Sequence, residues 1–381
     1  MDAVVNTILK RSAEPTSATE LKPIRYAIVG CGMMGQEHIR NIGLLRGGSV
    51  SVICEPDAEM REEASALVPK ARVVKTLDDV LEVGDFDALT IVSPNHLHVS
   101  QLRAVAARRS VPILVEKPLF TDPAQLAELR AFQADYPALV WVAMEYRYMP
   151  PIARFLARAH ERTGGIQMLT IREHRFPFLE KVGDWNRFNR NTGGTLVEKC
   201  CHFFDLMRLA IGTEPVRVMA SAGQAFNHTN ESYDGEVPDI WDHGYVIVDF
   251  AGGARAMLDL CMFAEGGRYQ EEICAVGPRG KIEAFVPGPK RFWPADTAFP
   301  VAKIVESPRH PQRPIETEVL VDEDLLELGD HNGATFYQHQ LFLQAIREGR
   351  PPAVSLDDGA AAVLMGLAAQ ESARTGRAIE L

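Results

Sequence analysis

The stretch RYAIVGCGMMG, residues 25–35, decides the fold of this chain. Its apolar start is typical of a strand, and it ends in a turn that contains Gly30, Gly32 and Gly35. A helical pattern of apolar residues follows, and a second apolar run ends in Glu55, twenty positions beyond Gly35. This order of strand, glycine-rich turn, helix, strand and carboxylate predicts a βαβ unit that binds a dinucleotide.

Each part of this unit has a defined role toward the dinucleotide. Gly30 permits the tight turn, Gly32 lets the backbone approach the pyrophosphate, and Gly35 allows the helix to pack closely on the strand. The helix N-terminus, at residues 33–34, offers N–H groups to the phosphates. Glu55 would bond to the ribose hydroxyls and repel a 2′-phosphate, so the sequence favours NAD over NADP.

Apolar runs and helical patterns continue to alternate up to about residue 145. The further runs lie at 72–74, 88–93, 111–115 and 139–144. This alternation predicts a doubly wound parallel sheet, whose ligands bind at the carboxyl ends of the strands. Two motifs follow such ends: PNHLH at 94–98 and EKP at 116–118. We therefore expect residues 24–145 to form a Rossmann domain.

Lys117 is the most specific signal of this half. Pro118 ends the strand and fixes the turn, so the lysine would project from a rigid element over the ligand crevice. A surface lysine that extends from a loop into solvent is the commoner case. Its position at the end of a central strand favours the functional interpretation.

Residues 146–381 predict a second α/β domain. Short β-like segments at 166–173, 245–250, 254–263, 271–276 and 281–285 are separated by glycine turns and suit one open sheet. Helical patterns cover 152–162, 331–347 and 358–375. The proline-rich residues 287–330 show no periodicity and predict an excursion over that sheet.

The stretch TGGTLVEKCCHFFDLMRLAIG, residues 192–212, predicts a buried helix with one polar stripe. Thr195 and Glu198 suit a capping box at its start, and Gly212 suits its end. Glu198, His202 and Asp205 share one face, so they either satisfy a polar network or line a site. Asp205 has the further option of pairing with Arg208.

These motifs resemble those of the Gfo/Idh/MocA family of nicotinamide-dependent sugar and polyol oxidoreductases. Two further segments share this resemblance: EYRYMPP at 145–151 and the C-terminal GRPPAVSLDDGAAAVLMGLAAQESARTGRAIEL. The resemblance covers most of the chain from about residue 24. It implies an α/β fold in which an N-terminal Rossmann domain precedes a domain with an open, mostly antiparallel sheet for substrate and subunit contacts. It also implies a homodimer or homotetramer. The C-terminal helix is expected to pack back on the first domain.

The resemblance assigns roles to individual residues. Lys117 is the active-site lysine, His202 the general base, whose ordinary pKa suits proton transfer near neutral pH, and Glu198 a member of the catalytic group. The residues implied to line the NAD site are Gly30, Gly32, Met33, Met34, Gly35, Glu55, Ser93, Pro94, Asn95, His98, Glu116 and Lys117. The residues expected to meet the substrate are Lys117, Tyr146, Arg147, His174, Arg175, Trp185, Lys199 and His202. Glu198 and Cys200 replace the family's Asp and Gly, which implies a reshaped pocket.

The segment before this helix is locally basic. Residues 172–199 hold six Lys/Arg against four Asp/Glu, whereas the whole chain carries a net charge of -11. A basic patch near the substrate suggests an anionic substituent such as a carboxylate or sulfonate. A subunit contact or a solvated loop explains the charge equally well.

Three functions remain open at this point. The first is a dehydrogenase in which His202 deprotonates a secondary hydroxyl, at C3 of a pyranose or pyranoside, as hydride passes to NAD. The second is a redox-neutral glycosidase that oxidises, eliminates, adds water and reduces again, for example on sulfoquinovosides. The third is a non-catalytic NAD-sensing regulator, which the presence of both Lys117 and His202 disfavours.

Composition excludes several other classes. The net charge of -11 argues against nucleic acid or an anionic membrane as partner, and no apolar run is long enough to span a bilayer. Residues 1–23 lack the order of a signal peptide, so we expect an arm or an oligomer-contact helix. Six cysteines without metal-type spacing indicate reduced thiols in a cytoplasmic protein, and we expect no metal site.

Overall fold

A computed structural model describes residues 22–381. The arm expected at 1–23 therefore lies, except for its last two residues, outside the described part. The first sheet has six parallel strands in the order β3-β2-β1-β4-β5-β6. The strands are β1 (Ile24–Val29), β2 (Gly48–Cys54), β3 (Arg72–Val74), β4 (Ala88–Ile91), β5 (Ile113–Val115) and β6 (Val140–Val142). Their order reverses between β1 and β4, which is where a doubly wound sheet binds its ligand.

The helices of this half connect successive strands, as parallel pairing requires. They are α1 (Met33–Gly43), α2 (Ala58–Leu67), α3 (Leu77–Val83), α4 (His98–Ala106) and α5 (Gln125–Asp135). Strands β4, β5 and β6 are buried along their whole length, because helices cover both faces of the sheet.

The second sheet has nine strands in the order β14-β13-β12-β11-β7-β10-β9-β8-β15. The strands are β7 (Met168–His174), β8 (Pro215–Gly223), β9 (His243–Phe250), β10 (Arg255–Cys261), β11 (Glu271–Gly277), β12 (Gly280–Val286), β13 (Ala302–Pro308), β14 (Ile315–Val319) and β15 (Ile379–Glu380). Every neighbouring pair is antiparallel except β7 and β10. The predicted α/β class, with a parallel sheet followed by a mostly antiparallel one, is confirmed.

Helices cover one face of this sheet and leave the other open. The helices of this half are α6 (Pro150–Thr163), α7 (Asn189–Thr192), α8 (Thr195–Glu198), α9 (Cys201–Ile211), α10 (Glu323–Leu326), α11 (Ala334–Glu348) and α12 (Leu356–Thr375). On β9 the residues alternate between buried and accessible, and Tyr245 and Ile247 point outward with exposed side chains. Within residues 22–381 no helix has the length and apolar character needed to cross a membrane.

Helix α12 contacts both sheets. A Cβ on Gly359 would lie 2.9 Å from the side chain of Val142 in β6 and 3.1 Å from Leu119, so glycine allows the helix to approach the first sheet. Further along, Ser372 Oγ accepts a hydrogen bond from the backbone N–H of Ala220 in β8. The C-terminal helix therefore packs against the strand that ends the Rossmann half.

One prediction about the second half is wrong, and one strand was missed. Residues 287–330 do not cross over the sheet but extend it, because β13 and β14 pair beside β12. The surrounding prolines concealed this alternation. The strand Pro215–Gly223 was not predicted, because its residues alternate only weakly between apolar and polar.

The predicted helix over 195–212 is interrupted. It forms α8 and α9, which are separated at residues 199–200. The capping box is absent: the hydroxyl of Thr195 donates to the carbonyl of Trp241 at 2.6 Å, and the Glu198 carboxylate accepts from the side chain of Asn95. Gly212, at φ +77°, ends the helix as predicted.

Candidate active site

A cavity of about 1020 Å³ lies at the carboxyl ends of the first sheet and is closed by residues of the second half. Most of the side chains expected at the site line it. From the predicted cofactor group these are Gly30, Gly32, Met33, Met34, Gly35, Glu55, Ser93, Pro94, Asn95, Glu116 and Lys117. From the predicted substrate and catalytic groups they are Tyr146, Arg175, Trp185, Glu198, Lys199 and His202.

The glycine-rich turn forms a cradle for a dinucleotide. Gly30 has φ +90°, and a Cβ there would lie 2.6 Å from the carbonyl oxygen of Val92. A Cβ on Gly35 would lie 2.1 Å from the carbonyl oxygen of Gly30, whereas one on Gly32 would meet nothing within 4 Å. Gly32 therefore faces open space at the start of α1, where no side chain caps the helix. Free N–H groups beside an open space fit a pyrophosphate.

Glu55 is held in place at the end of β2. Its carboxylate accepts from the N–H of Cys31 at 2.6 Å and from the N–H of Asp57 at 2.9 Å. The side chain still lines the cavity. A fixed carboxylate here fits ribose hydroxyls and disfavours a 2′-phosphate.

Lys117 follows the end of β5 and lines the cavity. Its Nζ donates to the carbonyl oxygen of Glu198 at 3.2 Å. Burial lowers its pKa, but the nearby carboxylates of Glu198 and Glu116 more than offset this, so the pKa is raised overall. The side chain therefore remains an ammonium at neutral pH.

His202 lies in the first turn of α9 and is 2% exposed. Burial, with the positive charges of Lys117 and Lys199, holds its pKa well below the ordinary value. Its ring stacks on the ring of Tyr146, with centroids 4.1 Å apart and planes 8° apart, while Nδ1 has no hydrogen-bond partner in the described chain. The imidazole is therefore neutral and able to accept a proton.

Glu198 ends α8, and Lys199 follows it in the interruption before α9. Burial raises the pKa of Glu198, although Lys117 and Lys181 oppose the shift. Lys199 lies 2.8 Å from the carboxylate of Glu173 and donates to the hydroxyl of Tyr146. Burial lowers the pKa of Lys199 to about 8. The ammonium group of Lys199 is thus already paired with a carboxylate of the protein.

Much of the predicted basic patch is neutralised away from the cavity. Arg172 lies on the open face of the sheet, 3.2 Å from Asp259 and 3.3 Å from Glu272. The guanidinium groups of Arg187 and Arg190 pair with Glu231 and Glu236. Arg175 and Lys181 do line the cavity, and within residues 22–381 the side chain of Lys181 forms no hydrogen bond or ion pair. Charge counting along the sequence overestimated the patch, because it ignores these distant partners.

Three expected site residues do not reach the cavity. Arg147 forms a buried two-point ion pair with Asp205, which replaces the expected Asp205–Arg208 pair. His174 lies on the open face of the sheet, 3.2 Å from Asp259, because residues alternate along β7.

The third, His98, lies behind the cavity wall. It contacts the carbonyl oxygens of Pro118 at 2.8 Å and Ser93 at 3.0 Å. It joins the two turns that carry the EKP and PNHLH motifs, so it supports the site without lining it.

The structure adds residues that sequence reasoning missed. His331 lines the cavity, and its Nδ1 lies 2.9 Å from Glu37 and 3.4 Å from Glu145. Each of these three side chains offers a ligand atom within 4.8 Å of the others, in a group that could hold a metal ion. Residue spacing carries no signal for a contact between residues so far apart in the chain.

An ammonium and a neutral imidazole face one cavity, beside a turn shaped for a dinucleotide. This arrangement suits removal of a hydride and a proton from an alcohol. The fold and the site therefore define a dinucleotide-dependent oxidoreductase. Residues 24–144 match the family model described as "Oxidoreductase family, NAD-binding Rossmann fold", and residues 160–381 match "Oxidoreductase family, C-terminal alpha/beta domain". The chain belongs to this Gfo/Idh/MocA oxidoreductase family, and its cofactor is NAD.

Individual relatives are similar over nearly their whole length. The myo-inositol 2-dehydrogenase of Thermotoga maritima is 22% identical, over 94% of this chain and 98% of that protein. The structure of levoglucosan dehydrogenase with NADH and levoglucosan superposes with a TM-score of 0.77 at 20% identity, covering 94% of this chain and 99% of that one. The structure of GenD2 from gentamicin A biosynthesis with NAD gives a TM-score of 0.77 at 21% identity, covering 97% and 99%.

Proposed function

We propose that this enzyme oxidises a secondary hydroxyl of a pyranose or pyranoside, at C3, with NAD as oxidant. The observation that carries the proposal is the presence of both a charged Lys117 and a neutral His202 in the cavity beside the dinucleotide turn. A cyclic polyol or sugar also agrees with the names of the relatives, a myo-inositol dehydrogenase and a levoglucosan dehydrogenase.

The roles of the two side chains follow from their charges. His202 accepts the hydroxyl proton, which it can do because burial and neighbouring cations keep its imidazole unprotonated. Lys117 donates to the same oxygen and stabilises the negative charge that develops there. When bound, NAD supplies the acceptor for the hydride that leaves the carbinol carbon.

We further propose that the substrate carries an anionic substituent, which Lys181 binds. Lys181 lines the cavity, and its side chain forms no ion pair within residues 22–381. Burial lowers its pKa despite the nearby Glu198. A half-buried ammonium is poorly hydrated, and a carboxylate or sulfonate on the ligand would supply a counter-ion.

One observation favours a second candidate, the redox-neutral glycosidase. Glu198 faces the cavity with a raised pKa, and simple dehydrogenation assigns no proton transfer to it. A second acid/base group is what elimination of an aglycone requires. In that reaction the oxidised sugar loses its C2 proton, the aglycone leaves, water adds, and the returning hydride restores NAD.

Incubation with NAD and two substrate sets separates the candidates. Free polyols and uronic acids are assayed for NADH formation, and matched aryl glycosides for both NADH and aglycone. The dehydrogenase predicts NADH equal to ketone formed. Aglycone release without accumulation of NADH would exclude the simple dehydrogenase. In that case, the Glu198→Gln variant should no longer release the aglycone. Turnover of neutral and acidic sugars with equal KM would exclude the anionic substituent.

We also propose a homodimer or homotetramer assembled through the open face of the second sheet. Met168, Tyr245 and Ile247 are exposed there, with Met168 60% and Ile247 42% accessible. A second copy of the chain would cover this face.

A further inference from the structure

His331 is anchored at one edge of its ring. Its Nδ1 lies 2.9 Å from Glu37 Oε1, and Glu37 is on α1, the helix that begins at the dinucleotide turn. Glu145, which follows β6, lies 3.4 Å from the same nitrogen. His331 belongs to the second half of the chain, so this contact joins the second half to the cofactor-binding helix.

The cluster around His331 favours an ion pair over a metal site. Thr335 Oγ1 lies 2.7 Å from Glu37 and 2.6 Å from Glu145. The Thr335 hydroxyl can donate a hydrogen bond to only one of these two carboxyl groups. The other carboxyl group must therefore carry a proton and donate it to the hydroxyl oxygen. Burial raises the pKa of Glu145, whereas His331 and Thr335 outweigh burial and lower the pKa of Glu37 to about 2. Glu37 is therefore the carboxylate, and it pairs with a protonated His331.

The opposite edge of the His331 ring is free to bind a ligand. Nε2 has no hydrogen-bond partner among residues 22–381, and the residue lines the cavity with its side chain 17% exposed. Burial opposes protonation, but Glu145 and Glu37 raise the pKa of His331 to about 9. An N–H with positive charge therefore faces the cavity at neutral pH.

The neighbours of His331 locate this N–H along the expected path of the cofactor. Its ring lies 5.9 Å from the ring of Tyr146, which stacks on His202 at the reaction centre. The preceding residue, Asp330, pairs with Arg291, whose guanidinium lies 3.9 Å from the sulfur of Met33 at the start of α1. His331 thus lies between the pyrophosphate turn and the nicotinamide end.

We propose that His331 is a cofactor-binding residue supplied by the second half of the chain, whose Nε2–H donates to an oxygen in the nicotinamide mononucleotide half of NAD. The adenosine half, near Glu55, makes no contact with it. A charged hydrogen-bond donor of this kind is worth roughly ten- to a hundredfold in affinity.

Equilibrium binding of NAD and of AMP tests the proposal without turnover. His331→Ala should weaken NAD about tenfold or more and leave AMP unchanged, because AMP lacks the nicotinamide half. His331→Gln retains a neutral donor and should lose less. His243→Ala is the matched control: His243 also pairs with a carboxylate, Asp242 at 2.8 Å, but lies outside the cavity. It should bind both nucleotides normally.

A pH series on the unaltered protein keeps the test decisive if His331→Ala does not fold. The titratable groups around His331 are Glu37, Glu145, Asp330, Tyr146 and His202. NAD affinity relative to AMP should fall as pH rises through about 9, and His331→Gln should reduce this fall. Equal loss of NAD and AMP, unchanged NAD binding in folded His331→Ala, or an effect confined to the substrate KM would each overturn the proposal.

Discussion

At the scale of single residues, His202 is held by packing rather than by a hydrogen bond. Nδ1 is buried without a hydrogen-bond partner among residues 22–381, and the flat stack on Tyr146 fixes the plane of the ring. Tyr146 is in turn fixed by Lys199, which is paired with Glu173. The orientation of the base therefore depends on a chain of side chains that reaches into the second sheet.

Single substitutions of the two reacting groups should separate catalysis from cofactor binding. Lys117→Ala removes the donor to the developing alkoxide and His202→Ala removes the base, so each should lower kcat by about 10²-fold or more. NAD affinity, measured by equilibrium titration, should stay largely unchanged. If either variant retained near-normal turnover, the role assigned to that residue would be wrong.

The lowered pKa of His202 predicts how the activity of the enzyme depends on pH. Because the imidazole must be neutral to accept a proton, activity should fall only when pH drops below its lowered pKa, so the acid limb of kcat/KM lies below the ordinary histidine value of about 6.5. Lys199→Gln removes a positive charge that opposes protonation. The acid limb should then move to higher pH. An unmoved or lowered limb would show that Lys199 does not act on His202.

At the scale of elements, the turn before α1 shows two different uses of glycine. Gly35 is required by the protein itself, since a Cβ there would collide with the backbone of Gly30. Gly32 has open space around it, which fits the close approach of a pyrophosphate to the backbone. We therefore expect one glycine of the motif to be needed for folding and the other for binding.

Paired alanine substitutions test this distinction. Gly35→Ala should lower Tm, because the backbone must shift to admit the Cβ. Gly32→Ala should keep the Tm of the apoprotein but weaken NAD binding, measured by titration. Equal Tm losses in the two variants would contradict the assignment of Gly32 to the pyrophosphate.

The sequence predicted features that depend on local patterns, and it did not predict contacts between residues far apart in the chain. The βαβ order and the placement of Glu55 and Lys117 follow from local periodicity, because a parallel sheet brings the ends of its strands together. The partners of Asp205 and Lys199 could not be inferred, since Arg147 and Glu173 are distant in the chain. His331 escaped notice for the same reason.

At the scale of the whole molecule, the two faces of the second sheet have different roles. The inner face carries Glu173 and the helices that present His202, and the outer face carries paired charges beside apolar rows. In one such row the apolar Met257 and Ile247 are neighbours, and the polar Thr170 extends the row onto a third strand. Charged residues of neighbouring rows flank it, as at a subunit interface with a defined register.

The proposed assembly predicts the effect of a charge in that row. Ile247→Asp should convert the oligomer to monomers, measured by light scattering coupled to gel filtration, and should retain NAD affinity because the cavity lies on the other side. Leu67→Asp places the same charge on an exposed apolar side chain of α2 and should leave the assembly intact. A monomeric unaltered protein would refute the proposal directly.

The contact of α12 with β6 has a consequence for biosynthesis. Gly359 lies against Val142, yet the ribosome makes eight of the nine strands of the second sheet between these two residues. The Rossmann half therefore emerges early with the groove beside β6 uncovered. Nascent chains with such an apolar groove are clients for chaperones until the covering helix arrives. Synthesis that stalls before α12 would leave a NAD-binding half that aggregates.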